Sequence, residues 1–289
     1  MVTTPFLNRL ACGAVIVADG SMGNTLYSRG LPAGMPPEQW VLDAPENVRQ
    51  LHREFIDAGA EIILSCTVGS TQIQMKHSGL PADRINRLAV ELARQAAGEN
   101  PVLVAGSIGP TGQLLAPYGP LSREEAVAAF ARQARSLDQA DLLVIETFFD
   151  LEEAIAAIEA ARSVTDLPLV CTLSFDRGRR TMMGVRPAQA AQALAGQNLA
   201  MLGLNCGRSL EENWEVLQEM RSATDMPLWV KPNAGRPRAT PEGLAVFDTT
   251  PEMMGEHAAR WITAGARVIG GCCGTSPAHL RQIAQAVQL

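Results

Sequence analysis

Two adjacent cysteines, Cys272 and Cys273, stand in the run Gly270-Gly271-Cys272-Cys273-Gly274-Thr275-Ser276-Pro277, directly after the apolar pair Val268-Ile269. Thiols held at the end of a strand, with glycines clearing the space around them, can point into one cleft and share a metal ion. Thiolates suit a soft divalent metal such as zinc, which usually takes at least three protein ligands. A third ligand has to come from elsewhere in the chain. Three cysteines buried as ordinary apolar residues, or a strained Cys272–Cys273 disulfide, are the competing explanations.

The elements that must position such a site follow one rhythm: a short apolar run, then an amphipathic, alanine-rich stretch. Candidate strands are Val15–Ala18, Ile62–Cys66, Val102–Ser107, Leu142–Thr147, Leu169–Ser174, Met201–Asn205, Leu228–Lys231 and Arg267–Gly271. Helical periodicity occupies Glu46–Ala58, Ala82–Ala97, Ser122–Gln139, Leu151–Val164, Pro187–Asn198, Leu210–Ser222, Pro251–Ala264 and Pro277–Val287. Stop signals such as Ala58-Gly59-Ala60 and Ala264-Gly265-Ala266 close many of them.

Eight strand-then-helix units with near-continuous apolar strands predict a parallel sheet covered by helices, and eight is the number that closes a single (β/α)8 TIM barrel. A doubly wound open sheet is the alternative. No linker or composition break divides residues 1–289, so one domain is expected. Irregular stretches are expected at Tyr27–Asp43, Val68–Leu80, Gly109–Leu121, Ser174–Arg186 and Lys231–Thr250. Each follows a strand, which in a barrel places it on the face where active sites are built.

The 289 residues are 47% hydrophobic and 19% charged, enough apolar content for a sizeable core. No window reaches the length of a membrane span, and Met1-Val2-Thr3-Thr4-Pro5-Phe6 lacks the blocks of a signal peptide, so a cytoplasmic protein is expected. The net charge of -6 speaks against a nucleic-acid or anionic-membrane partner. The six cysteines are expected as thiols or ligands rather than disulfides in a reducing compartment.

Polar residues at the strand ends then converge on one barrel mouth: Asp19, Ser65, Thr67, Ser107, Glu146, Asn205, Cys206, Asn233, Cys272 and Cys273. Cys206, in Gly203-Leu204-Asn205-Cys206-Gly207, ends the sixth strand and is the best third thiolate, since strands six and eight lie two apart around a barrel. Three thiolates with an open fourth position describe a reactive site, because structural zinc sites are closed by four protein ligands.

In order along the chain, Asp19-Gly20-Ser21-Met22-Gly23, Gly109-Pro110-Thr111-Gly112, Glu146-Thr147, Gly203-Leu204-Asn205-Cys206, Pro232-Asn233-Ala234-Gly235 and Gly270 to Thr275 resemble the signatures of the homocysteine S-methyltransferase family. The resemblance implies a (β/α)8 barrel carrying zinc on Cys206, Cys272 and Cys273, with the thiol of homocysteine entering the open position and attacking an activated methyl group to give methionine. It further implies that Glu146 holds the homocysteine ammonium, that the backbone of the Asp19-Gly20 turn contacts the amino acid, that the Ser65 hydroxyl helps to hold its carboxylate, and that Val185 makes a backbone contact. For Glu146 the competing role is a salt bridge to a barrel arginine, for Asp19 a turn cap, and for Ser65 an ordinary strand position.

Cys12, Cys66 and Cys171 read as core or strand thiols, and His52, His77, His257 and His279 lack the paired spacing of ligands. Trp40, on a mouth loop, could cover an onium methyl group by a cation–π contact. The chain departs from its family pattern at Ser65-Cys66-Thr67-Val68-Gly69-Ser70, where methionine synthase modules typically have Thr-Asn-Thr-Phe and betaine-type enzymes carry a tyrosine in the place of Gly69. No Asp-x-His-x-x-Gly corrinoid motif is present. The implied donor is therefore a small onium compound, or methylcobalamin on a separate corrinoid protein. A non-catalytic zinc- or thiol-binding barrel, and methyl transfer to another thiol, are the rival readings.

Overall fold

The computed structural model describes residues 4–239 and 245–288. The first three residues of the Met1–Phe6 stretch, and residues 240–244 within the Lys231–Thr250 segment, lie outside the described residues. All eight expected strands form, and they hydrogen-bond in parallel as one sheet. Along the chain the elements begin with α1 (Pro5–Ala11), β1 (Ile16–Val17), α2 (Met22–Ser28), a 3-10 turn at Pro37–Gln39, α3 (Trp40–Asp43), α4 (Pro45–Asp57) and β2 (Ile62–Leu64). Then come α5 (Gln72–Ser78), α6 (Ala82–Ala97), β3 (Leu103–Ile108), α7 (Arg123–Ser136), β4 (Leu142–Phe148), α8 (Leu151–Arg162), β5 (Leu169–Leu173) and α9 (Pro187–Ala195). The chain closes with β6 (Met201–Cys206), α10 (Leu210–Arg221), β7 (Leu228–Pro232), a small hairpin of β8 (Arg238–Ala239) and β9 (Ala245–Val246), α11 (Pro251–Thr263), β10 (Ala266–Ile269) and α12 (Pro277–Val287).

The sheet order β1-β10-β7-β6-β5-β4-β3-β2 is that of a barrel read around its wall. Its seam lies between β1 and β2, which meet through the single bridge Ala18↔Ile62. The eight-stranded sheet with its outer helices is the (β/α)8 TIM barrel expected from the sequence.

Strand alternation builds two cores. Inward-facing Ile16, Ile62, Leu103, Ala105, Leu142, Val144, Val170, Met201, Trp229 and Val268 fill the barrel, and Phe6 of α1 plugs its base. The intervening positions, such as Val104, Leu143, Leu202 and Val230, pack outward against the helices. Helices are set by local chemistry: Ser122 and Glu125 form a capping box at α7, and hydroxyls of Ser209 and Thr250 cap α10 and α11, each such cap being worth about 1 kcal/mol.

Two stretches expected to be irregular hold helices. Val68–Leu80 contains α5, started by the Thr71 hydroxyl accepting from the Gln74 N–H and stopped by left-handed Gly79. Tyr27–Asp43 contains the 3-10 turn and α3. Helices of seven residues or fewer carry too little apolar periodicity to stand out, although their caps were in view. Helices α1 and α2 escape for the same reason. No described helix is long and apolar enough to cross a membrane.

Candidate active site

The same alternation that fills the barrel with apolar residues ends, one layer higher, on polar ones. Glu146 follows Leu142 and Val144 on the inner parity of β4, Ser107 follows Leu103 and Ala105 on β3, and Lys231 follows Trp229 on β7. Together with the loops they line a pocket of about 410 Å³ at the C-terminal mouth. Asp19, Gly20, Ser65, Glu146, Cys206, Cys272 and Cys273 all border it, so seven residues singled out from the sequence meet at one place. A larger groove of about 1440 Å³ runs between Lys76 and Arg135 outside the barrel and carries none of these residues.

The cysteines are positioned by backbone held from several sides. Cys206 has a left-handed φ of 62°, uncommon for a residue with a side chain, and its carbonyl accepts from the Asn233 N–H and the Asn213 amide, both at 2.9 Å. Cys272 donates its N–H to Pro232 O at 2.7 Å, and the Cys273 N–H donates to Asn233 Oδ1 at 3.0 Å. Gly270 is required here, because a Cβ would lie 2.7 Å from Asp19 O and 2.8 Å from Ala18 O.

Cys206 Sγ lies 3.3 Å from Cys272 Sγ, and the Asn205 amide donates to Cys206 Sγ at 3.3 Å. Hydrogen bonds from Cys206 and then Cys272 pull the Cys273 thiol down to about 4. Cys206 is raised well above the usual thiol range, first by its hydrogen bond to Cys272 and then by that to Cys273. At Cys272 the bond from Cys206 lowers the value, but the bond to Cys273 and burial outweigh it, and the thiol is pushed up to about 12. The trio thus behaves as one thiolate stabilised by two S–H donors.

These residues fit a soft metal by donor chemistry. Sulfurs bound to one tetrahedral zinc stand about 3.8 Å apart, given Zn–S near 2.3 Å. The Cys206–Cys272 pair would have to open by roughly half an ångström to match that spacing. Among the described residues no group of three or more His, Cys, Asp and Glu side chains is already gathered as an assembled metal site. Cys66 also borders the pocket, where burial and then the Glu38 charge raise its thiol. Cys171 is buried and likewise raised by desolvation.

Beside the thiols lies a charged cluster. Lys231 Nζ donates to Asp19 Oδ1 at 2.6 Å, and Asp19 Oδ2 accepts the Leu64 N–H at 2.8 Å. Burial raises Asp19 while Lys231 opposes that rise. Burial lowers Lys231, but the charges of Asp19 and Glu146 outweigh it and leave the ammonium above its ordinary value. Glu146, desolvated and only partly offset by Lys231, is raised to about 7, and its Oε1 accepts the Ser107 hydroxyl at 2.5 Å. The Ser65 hydroxyl is tied to Thr67 Oγ1 at 2.7 Å and accepts the Ser107 N–H at 3.1 Å.

Val185 stands apart from this assembly. Its N–H donates to Thr181 Oγ1 at 3.2 Å and its carbonyl accepts the Thr181 N–H at 3.0 Å, and it does not line the pocket. A local turn has absorbed the backbone groups expected to face the ligand. Conversely, Lys231 and Glu38 line the pocket without having been singled out. The signal for Lys231 was present: it has the inward parity of Trp229 and is a charge closing an apolar strand. Glu38, in a short loop turn, had none.

A family model described as homocysteine S-methyltransferase matches residues 16–287. The chain is 30% identical over 299 residues to the S-methylmethionine–homocysteine S-methyltransferase BHMT2 of Pongo abelii, covering 96% of this chain and 80% of that protein. It is similar, with a TM-score of 0.82 and 27% identity, to the crystal structure of the homocysteine methyltransferase MmuM from Escherichia coli in its metallated form, covering 96% of this chain and 99% of that one. The oxidized form of MmuM superposes with a TM-score of 0.81 at 27% identity over 96% of this chain and 98% of that one.

Proposed function

The chain belongs to the homocysteine S-methyltransferase family, and from that premise we propose that, as one barrel domain over residues 1–289, it is a zinc-dependent enzyme that methylates homocysteine to methionine. The observation that carries this reading is the meeting of Cys206, Cys272 and Cys273 with Glu146 in one pocket of about 410 Å³. That volume suits a small amino acid with room for a second small ligand.

Cys206, Cys272 and Cys273 would hold the zinc, and the metal, when bound, would supply a Lewis acid that keeps a substrate thiol ionised at neutral pH. The protein's own residues orient the rest of the amino acid. Glu146, buried and without a direct ion-pair partner among the described residues, binds the homocysteine ammonium, a cation that offsets the desolvation holding its carboxyl near 7. The backbone at Asp19 and Gly20 and the hydroxyl of Ser65 frame its carboxylate end. Lys231 keeps Asp19 in place and lends the cluster a compensating charge.

The transfer forms one bond between the homocysteine sulfur and the methyl carbon. It breaks the bond from that carbon to the donor atom, whose electron pair departs with it, and the thiol proton is lost to solvent. Such a displacement needs in-line approach more than acid–base assistance, and a walled pocket with both reactants inside supplies it. S-methylmethionine, the donor in the name of the BHMT2 relative, is carried to this chain as a candidate, beside a betaine, another sulfonium, or methylcobalamin on a separate corrinoid protein. A cytoplasmic location belongs to the same reading.

The experiment is direct: zinc-loaded protein is incubated with homocysteine and each donor, and methionine is quantified. Methionine formation with at least one donor supports the reading. Binding of zinc and homocysteine without transfer from any donor, alone or with a corrinoid protein, overturns it in favour of a non-catalytic barrel.

A further inference from the structure

The pocket that holds the thiols also holds a carboxylate with no cation to answer it. Glu38 sits on the 3-10 turn Pro37–Gln39 and is 2% exposed, yet it lines the pocket beside Val68 and Tyr27. Its Oε1 accepts the Gly69 N–H at 2.6 Å. Burial raises its carboxyl, and only backbone N–H groups, its own and that of Gly69, oppose the rise. No Lys, Arg or His among the described residues pairs with it.

A count of charges in the pocket isolates it. Three carboxylates, Asp19, Glu38 and Glu146, face one ammonium, Lys231. Lys231 is paired with Asp19 at 2.6 Å. On the reading above, on which this inference rests, the homocysteine ammonium takes Glu146. A buried carboxylate left unpaired is costly, and such a group in a ligand pocket marks the place of a cationic ligand.

We propose that Glu38 binds the positive charge of the methyl donor, which is therefore a small onium compound, and that Glu38 selects it. The surroundings have the right character for a cation clothed in methyl groups. Met22, Pro37 and the half-exposed Val68 offer apolar contact, and Tyr27 is close enough for the Glu38 charge to act on its phenol. A tyrosine ring beside a carboxylate attracts an onium by cation–π interaction as well as by charge. Glycine at position 69 keeps the carboxylate available: a Cβ there would lie 2.9 Å from Glu38 Oε1 and 2.9 Å from Gln74 Oε1, so a larger residue would displace both side chains.

The competing explanation is that Glu38 merely tethers the loop at Gly69. Glu38→Gln separates the two, because its amide oxygen still accepts the Gly69 N–H while the charge is gone. Wild type and variant are titrated calorimetrically with S-methylmethionine, with glycine betaine, with methionine, which lacks the sulfonium charge, and with homocysteine, each ligand alone so that no turnover occurs. The expected result is binding of at least one onium to wild type, weakened tenfold or more in Glu38→Gln, with methionine and homocysteine affinities the same in both proteins. The relative strengths for S-methylmethionine and glycine betaine distinguish a sulfonium from an ammonium donor. Equal onium affinity in the two proteins, or no onium binding to wild type, overturns the assignment of Glu38. Because binding is read without turnover, a failure to form methionine sinks the methyltransferase reading separately.

Discussion

Lys231 Nζ lies 2.6 Å from Asp19 Oδ1 in a pair with side-chain exposures of 4% and 2%, joining the end of β7 to the turn after β1. The other oxygen of Asp19 accepts the Leu64 N–H of β2. One carboxylate thus clasps the barrel at the seam where β1 and β2 share a single backbone bridge.

Breaking this pair on one side should be expensive. Lys231→Met leaves a buried carboxylate and Asp19→Asn a buried ammonium, and each is expected to cost about 3–5 kcal/mol in urea unfolding. The double variant should recover a large part of the loss, since neither member of the pair is then left charged without the other. Single variants within 1 kcal/mol of wild type would show that the clasp is not under load.

Serine in place of Cys206, Cys272 or Cys273 should abolish both stoichiometric zinc, measured by elemental analysis, and methionine formation. Serine at Cys12 or Cys171, away from the pocket, should leave the metal content intact. Chelator treatment of wild type should remove activity, and added zinc should restore it. Full activity in a metal-free protein contradicts the mechanism.

Glu146 should impose a pH-dependent penalty on the metal-free, ligand-free protein. Its carboxyl stands at about 7 in the fold against an ordinary 4.5. Between those values the folded state keeps a proton that the unfolded chain has released, so stability falls as pH rises through the window, by about 3 kcal/mol. Glu146→Gln is permanently neutral and lacks that slope. Its stability relative to wild type should grow from pH 4.5 to 8 in denaturant unfolding, while its homocysteine affinity drops. Parallel stability curves for the two proteins count against the assignment.

His52, on α4, acts in the opposite sense. Burial lowers it to about 4 from an ordinary 6.5, and neither ring nitrogen has a partner among the described residues. Below pH 6.5 the unfolded chain takes up a proton that the fold refuses, so stability is lost as pH falls toward 4, by about 3 kcal/mol. His52→Leu should be the more stable protein at pH 5 and should unfold with a flatter acid limb, as followed by circular dichroism. An equally steep limb in the variant would place the acid sensitivity elsewhere.

Most of the barrel was legible because a strand and a long helix write their periods directly into apolar spacing. Ala82–Ala97 and Pro277–Val287 carry enough turns for both ends to be read from the sequence alone. The seven-residue α5 does not, and its stretch looked like loop. The site was legible where a residue type is chemically unusual for its place, as with Glu146 in an apolar strand or paired thiols among glycines. Val185 lies outside the pocket, and a backbone contact has no side-chain signature by which a sequence could place it; Glu38 has none either, because a glutamate in a polar loop is ordinary until burial is known.

By itself the sequence determined the eight strand-helix units, the parity that puts Ser107, Glu146 and Lys231 on inner faces, and the residue types able to bind a soft metal. These are local properties, set by backbone periodicity and side-chain chemistry over a few residues. The tertiary structure alone decided which of them touch. Cys206 meets Cys272 from 66 residues away and Asp19 meets Lys231 from 212, because closing the sheet brings strand ends together whatever their separation along the chain. It also decided what is dry: desolvation, a property of the whole packed barrel, raises the carboxyls of Glu146 and Glu38 above the ordinary range of a glutamate.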